Sequence, residues 1–142
     1  MNLDTIEALS QQSTEILKTI LILAEQNDDN IKIDNTNGVF IPLCVEVIYR
    51  EQNLLQLSIC HYGKLNGDLM ADPEMCFIYK DNKFYPFYYK NDYFGMEQES
   101  LDVHGIEVEE IDSRLYDEHL KFANSWLNTI QQQQKIISTN QL

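Results

Sequence analysis

Two short polar turn signals, Glu51-Gln52-Asn53 and Asp81-Asn82-Lys83, constrain this chain more than any other feature. Each separates two runs rich in β-branched and aromatic residues: 40–50 and 54–62 about the first, 75–80 and 84–89 about the second. So short a connection returns a strand antiparallel to its predecessor, because a parallel crossover needs a dozen or more residues. The middle of the chain therefore reads as hairpins in a meander. Residues 31–34 are expected to add a strand before the Asn35-Thr36-Asn37-Gly38 turn. Another is expected over 93–101, after Asn91-Asp92 breaks the run. Residues 63–73 read as a longer loop, and β-type pattern persists to about Val108.

Helical periodicity brackets this region. Leu3, Ile6, Leu9, Ser13, Ile16, Leu17, Ile20, Leu21 and Ala24 recur at three- and four-residue steps, which predicts an N-terminal helix capped by Asn2 or Asp4. Asn and Asp crowd residues 26–30 and end it. Leu115, His119, Phe122, Ala123, Trp126, Leu127 and Ile130 form the apolar face of a C-terminal helix, with Asp112 or Ser113 as cap. Its periodicity fades in Gln131-Gln132-Gln133-Gln134, and about 135–142 is expected to fray. The expectation is one α+β domain over 1–142. An antiparallel meander of about four to five strands carries a helix from each end of the chain on one face.

Composition narrows the partners. Ten basic residues stand against 23 acidic ones, a formal charge of −13. Such a surface repels phosphate backbones and anionic membranes, so neither direct nucleic-acid binding nor a membrane is expected. It would attract basic proteins and divalent cations. No apolar stretch approaches the ~18 residues of a span. The most apolar early run, 16–24, follows Asp4, Glu7 and Glu15 rather than a basic leader, so no signal peptide is expected. Cys44, Cys60 and Cys76 are odd in number and widely spaced, which suits a reducing cytoplasm and small buried thiols.

The most distinctive segment is Asn66-Gly67-Asp68-Leu69-Met70-Ala71-Asp72-Pro73-Glu74-Met75. His61-Tyr62 precedes it; Asn91-Asp92-Tyr93-Phe94-Gly95 and Glu97-Gln98-Glu99 follow. Over residues 39–99 this pattern resembles a bacterial domain family of unknown function, members of which occur on plasmids, conjugative elements and phage-related islands. Phe94 stands where the family pattern has Leu. The resemblance implies a genomic setting and brings no activity, cofactor or partner with it.

Three features could carry function. His61, Asp68, Asp72 and Glu74 fall within fourteen positions around the expected loop, and oxygen ligands there would suit a divalent ion, with His61 favouring a transition metal. Glu97 and Glu99, two apart on a strand, share a face and could add ligands. The spacing matches neither an EF-hand nor a His-Glu-x-x-His helix, and Asp, Gly and Pro are also ordinary turn vocabulary. No cofactor beyond such an ion is implied. Phe84-Tyr85-Pro86-Phe87-Tyr88-Tyr89 is aromatic enough for a protein interface built on Tyr85, Tyr88, Tyr89 and the adjoining Asn91, Asp92 and Tyr93. Its plain alternative is a strand packed on both sides.

Residues 97–118 carry nine carboxylates against Arg114 alone, either a solvated face or a phosphate mimic aimed at a basic cleft. His61, His104 and His119 lie apart, and no nucleophile elbow, Walker loop or dinucleotide fingerprint occurs. The leading expectation is thus a non-enzymatic accessory protein acting through protein contacts. An acidic mimic inhibiting a DNA-binding or defence protein comes second, and a metal-dependent enzyme third.

Overall fold

A computed structural model describes residues 2–137 of the chain; residues 138–142, expected to fray, lie outside them. Six strands form one sheet in chain order: β1 (Asn30–Ile33), β2 (Leu43–Glu51), β3 (Leu54–Leu65), β4 (Asp68–Lys80), β5 (Lys83–Asn91) and β6 (Met96–Glu99). Every neighbouring pair is antiparallel, as the short turns require. The sheet exceeds the four or five strands expected because both edge runs pair despite being four residues long.

The largest departure lies between Tyr62 and Met75. No long loop forms there. The third strand runs on to Leu65, the fourth begins at Asp68, and Asn66 (φ 53°) and Gly67 (φ 87°) alone make the turn. A two-residue turn with positive φ at both positions matches the right-handed twist of its strands, and Asn-Gly is the pair that adopts it most readily. Strand 93–101 is also corrected. Asp92–Phe94 is a single 3-10 turn closed by Gly95 at φ 63°, and Ser100 separates β6 from a second, two-stranded sheet. That sheet is β7 (Leu101–His104) paired with β8 (Glu107–Ile111).

The first helix, α1, spans Gln11–Glu25 rather than starting near Leu3. Ser10 Oγ accepts the Ser13 N–H at 3.1 Å and sets the start. Before it, Leu3–Thr5 forms a 3-10 turn capped by Asn2, and Leu9 N–H donates to Phe84 O at 3.0 Å. Leu3 and Leu9 are buried, so their apolar spacing reports packing on the edge of the body and not helix. The second helix, α2 (Ser113–Gln134), starts at Asp112, which accepts the Leu115 N–H at 3.1 Å. It persists through the glutamines to Gln134 and stops where Lys135 turns left-handed at φ 55°. Among the described residues no helix is long and apolar enough to cross a membrane.

Both helices pack on one face of the sheet and on each other. Ile16, Leu17, Ile20 and Ala24 of α1, and Ala123, Leu127 and Ile130 of α2, meet Val45, Leu57, Ile59, Met75 and Phe77, all nearly inaccessible. At ~1.5–3 kcal/mol for each large buried aliphatic or aromatic side chain, this layer supplies most of the driving force. The opposite face divides in two. At one end Gln56, Ile78 and Tyr85 lie in a cross-strand row. Gln56 Nε2 donates to Gly105 O at 3.1 Å, which draws the β7–β8 hairpin over that row. Ile78 and Tyr85 are accordingly buried. The other end has no such cover.

Candidate functional site

Two rows of side chains cross the uncovered end. Lys32, Cys44, Cys60, Glu74, Lys90 and Glu97 form one, each the register partner of the next. Asn30, Glu46, Ser58, Cys76, Tyr88 and Glu99 form the other. A sheet face that keeps alternating polar side chains and thiols instead of aliphatics is not built for a core. Ser58 Oγ donates to Glu74 Oε2 at 2.6 Å, tying the rows together. Burial pushes the Cys60 thiol up to about 12, partly opposed by a hydrogen bond with Tyr62. Burial, reinforced by Glu74, does the same to Cys76. Burial and then Glu97 push the Tyr88 hydroxyl up to about 12.

Beyond these rows the β3–β4 hairpin overhangs the sheet, because β2 begins only at Leu43 and β5 stops at Asn91. At its foot lies a cavity of about 460 Å³ lined by Lys32, Pro42, Cys44, Tyr62, Gly63, Lys64 and Leu69. Leu69 is 63% exposed and Tyr62 42% exposed. Among the described residues neither Lys32 nor Lys64 makes an ion pair.

The overhang is held from one side. Asp92 Oδ2 accepts the Ala71 N–H at 2.7 Å, Asp72 Oδ1 accepts from Asn91 Nδ2 at 3.1 Å, and the Tyr93 hydroxyl donates to Lys64 O at 3.2 Å. Asn91 Oδ1 also accepts the Tyr93 N–H. Asn91, Asp92, Tyr93 and Asp72, read from the sequence as binding residues, thus bracket the hairpin.

The other expected site residues scatter. Asp68 is exposed beside the Asn66-Gly67 turn, and Glu74 lies on the uncovered face. His61 is on the helix side, 8% exposed, edge-on to Trp126 with ring centroids 5.3 Å apart, and its Nε2 has no partner. Burial holds its pKa below the ordinary value. The sheet therefore separates His61 from Glu74, and the four expected metal ligands do not form one group. Among the described residues the ligand-type side chains brought within 4.8 Å of one another are Asp102, His104 and Glu109, on the exposed β7–β8 hairpin. His104 Nε2 lies 2.9 Å from Asp102 Oδ1 and 3.9 Å from Glu109 Oε2. The two-residue spacing of Asp102 and His104 on a strand was the signal for it.

The aromatic run divides as well. Tyr85 is covered by the hairpin, Tyr88 stands on the uncovered face, and Tyr89 stacks on His119 at 5.7 Å beneath α2. Glu97 and Glu99 are exposed and share the uncovered face with Lys90 and Tyr88. What sequence reasoning missed was the trio Cys44, Tyr62 and Lys64 around the cavity, which become neighbours only once β2 and the hairpin are in register.

Architecture and site together define a class: an α+β domain with a helix pair on one face of an antiparallel meander and a half-open second face. The chain belongs to the family described as Domain of unknown function (DUF6908), which it matches over residues 5–136. The match extends past 39–99 to take in both helices, so the whole architecture is the family unit. No curated protein and no solved structure is significantly similar to the chain.

Proposed function

We propose that this domain is a non-enzymatic protein-docking module, and that its cavity at the foot of the hairpin receives an apolar side chain of a partner. One observation carries the reading. A concave apolar surface of Pro42, Tyr62 and Leu69 is left open on a face that the fold does not need for its core, and two lysines without ion-pair partners border it. In a chain with ten basic residues and a charge of −13, that border selects a segment bearing carboxylates beside its anchor. Aromatic and aliphatic anchors in such pockets supply most of the affinity of small interfaces. A bacterial cytoplasm, and the plasmid and phage-island setting implied by the Gly-Asp-Leu-Met resemblance, belong to the same proposal.

A second reading draws on Glu97, Glu99, Glu107, Glu109 and Glu110, exposed on the strands β6 and β8. Carboxylates at fixed strand spacing would suit a phosphate-mimicking inhibitor of a basic protein.

Affinity capture from a bacterial lysate separates them, using the wild type, Leu69→Asp and the pair Glu97→Gln/Glu99→Gln, washed at low and high salt. A protein that survives high salt and is lost with Leu69→Asp supports docking at the cavity. One released by salt and lost with the glutamine pair supports the mimic. Identical capture by all three proteins defeats both.

A further inference from the structure

Cys44 and Cys60 are direct cross-strand partners on the uncovered face. Both are free thiols, and they differ in access: Cys44 is partly exposed and lines the cavity, whereas Cys60 is buried beside it. Directly opposed residues of an antiparallel pair hold their Cβ atoms about 4.5–5.5 Å apart. A disulfide needs about 3.5–4.5 Å, so a small approach of two strands closes the gap. Cys76 is one strand further and one diagonal step away, opposite Ser58, at a separation of about 7–8 Å that a disulfide does not span. Burial raises the Cys44 thiol above its ordinary value, and Lys32, its register partner on the other side, partly opposes that rise. Burial holds the Cys60 thiol up at about 12, partly opposed by a hydrogen bond with Tyr62, so Cys60 is the less reactive of the two.

We infer that Cys44 and Cys60 form a dithiol site for small disulfides, with Cys44 as the attacking thiol and Cys60 as the resolving one. The Cys44 thiolate attacks one sulfur of a small disulfide such as oxidised glutathione. The sulfur–sulfur bond breaks, one glutathione leaves as thiolate and takes up the proton that Cys44 released, and Cys44 carries a mixed disulfide. Cys60 then gives up its proton and attacks Cys44 Sγ, expelling the second glutathione, which takes that proton. One small disulfide has been reduced to two thiols, and two protein thiols have been oxidised to one disulfide. This inference is independent of the docking proposal, since it requires neither a partner nor Leu69.

The test is incubation of the folded protein with oxidised glutathione at mildly alkaline pH, followed by intact-mass and peptide mapping. The wild type should lose two hydrogens and yield a Cys44–Cys60 linked peptide. Cys60→Ser should stop with one glutathione on Cys44, Cys44→Ser should remain unmodified, and Cys76→Ser should behave as the wild type. Circular dichroism of each variant establishes that it is folded. A persistent glutathione adduct on the wild type, a bridge that includes Cys76, or no reaction in the folded wild type would overturn the inference.

Discussion

Gln134 grips Asn35 with both its backbone and its side chain. Its Oε1 accepts the Asn35 N–H at 2.8 Å and its carbonyl accepts from Asn35 Nδ2 at 2.9 Å. The same amide reaches Ile41 O through Nε2 at 3.1 Å. Gln134 is 1% exposed, so the last turn of α2 pins both ends of the connection between β1 and β2.

Gln134→Ala should therefore destabilise the domain well beyond a surface substitution. It leaves the Asn35 N–H and the Ile41 carbonyl without their partner, and such losses cost about 1–3 kcal/mol. Urea denaturation should show a lower midpoint with unchanged slope, whereas Gln132→Ala should behave as the wild type.

Stability should fall as the solution is acidified below the ordinary histidine pKa of 6.5. Burial lowers the pKa of both His61 and His119 in the folded chain. The unfolded chain therefore binds protons first, and the stability present above pH ~6.5 is lost as pH descends toward the folded values. Denaturation midpoints measured between about pH 7.5 and about pH 5.5 should show this slope. A double substitution, His61→Leu with His119→Leu, should flatten it.

Alkylation should sort the thiols by access. Iodoacetamide should label Cys44 in the native protein, while Cys60 and Cys76, buried and both held up to about 12, should react only after denaturation. Labelling of all three at equal rates under native conditions would contradict the packing of the uncovered face.

Two glycines of one hairpin should respond to alanine for different reasons. At Gly67, φ 87° disfavours any side chain but nothing lies within 4 Å, so Gly67→Ala should cost about 1 kcal/mol of backbone strain. At Gly63 a new Cβ would collide with the Tyr93 hydroxyl. Gly63→Ala should cost more and should be partly relieved by Tyr93→Ala. A double-mutant cycle should give a coupling of about 0.5–3 kcal/mol, and additivity would show that the ring moves aside freely.

Much of this architecture was legible in the chain. Glu51-Gln52-Asn53 and Asp81-Asn82-Lys83 fixed two hairpins, and Asp112 marked the start of α2. The Asn66-Gly67 turn was equally visible as a dipeptide, but Asp68, Asp72 and Pro73 beside it read as loop vocabulary and hid the extensions of two strands. The second sheet was masked by charge: Glu107, Glu109 and Glu110 dominate β8, and the inward set of Leu101, Val103, Val108 and Ile111 is spread thinly between them. Gln134 was lost in a glutamine run because its burial depends on Asn35 and Ile41, nearly a hundred positions away. The candidate site was least legible of all. Cys44, Cys60, Tyr62 and Lys32 carry no common spacing, and only the register of three strands makes them neighbours.

The divided second face has a consequence for how such a domain can change. What holds the fold is concentrated beneath the helices and under the β7–β8 hairpin. Around the buried Ser58, Cys60 and Cys76, the open end carries the exposed positions Lys32, Tyr62, Lys64 and Leu69. Substitutions there leave the packed layers untouched, so descendants of one scaffold can acquire new specificities without passing through unfolded intermediates. A sheet sorted in this way is a fixed frame with a rewritable panel.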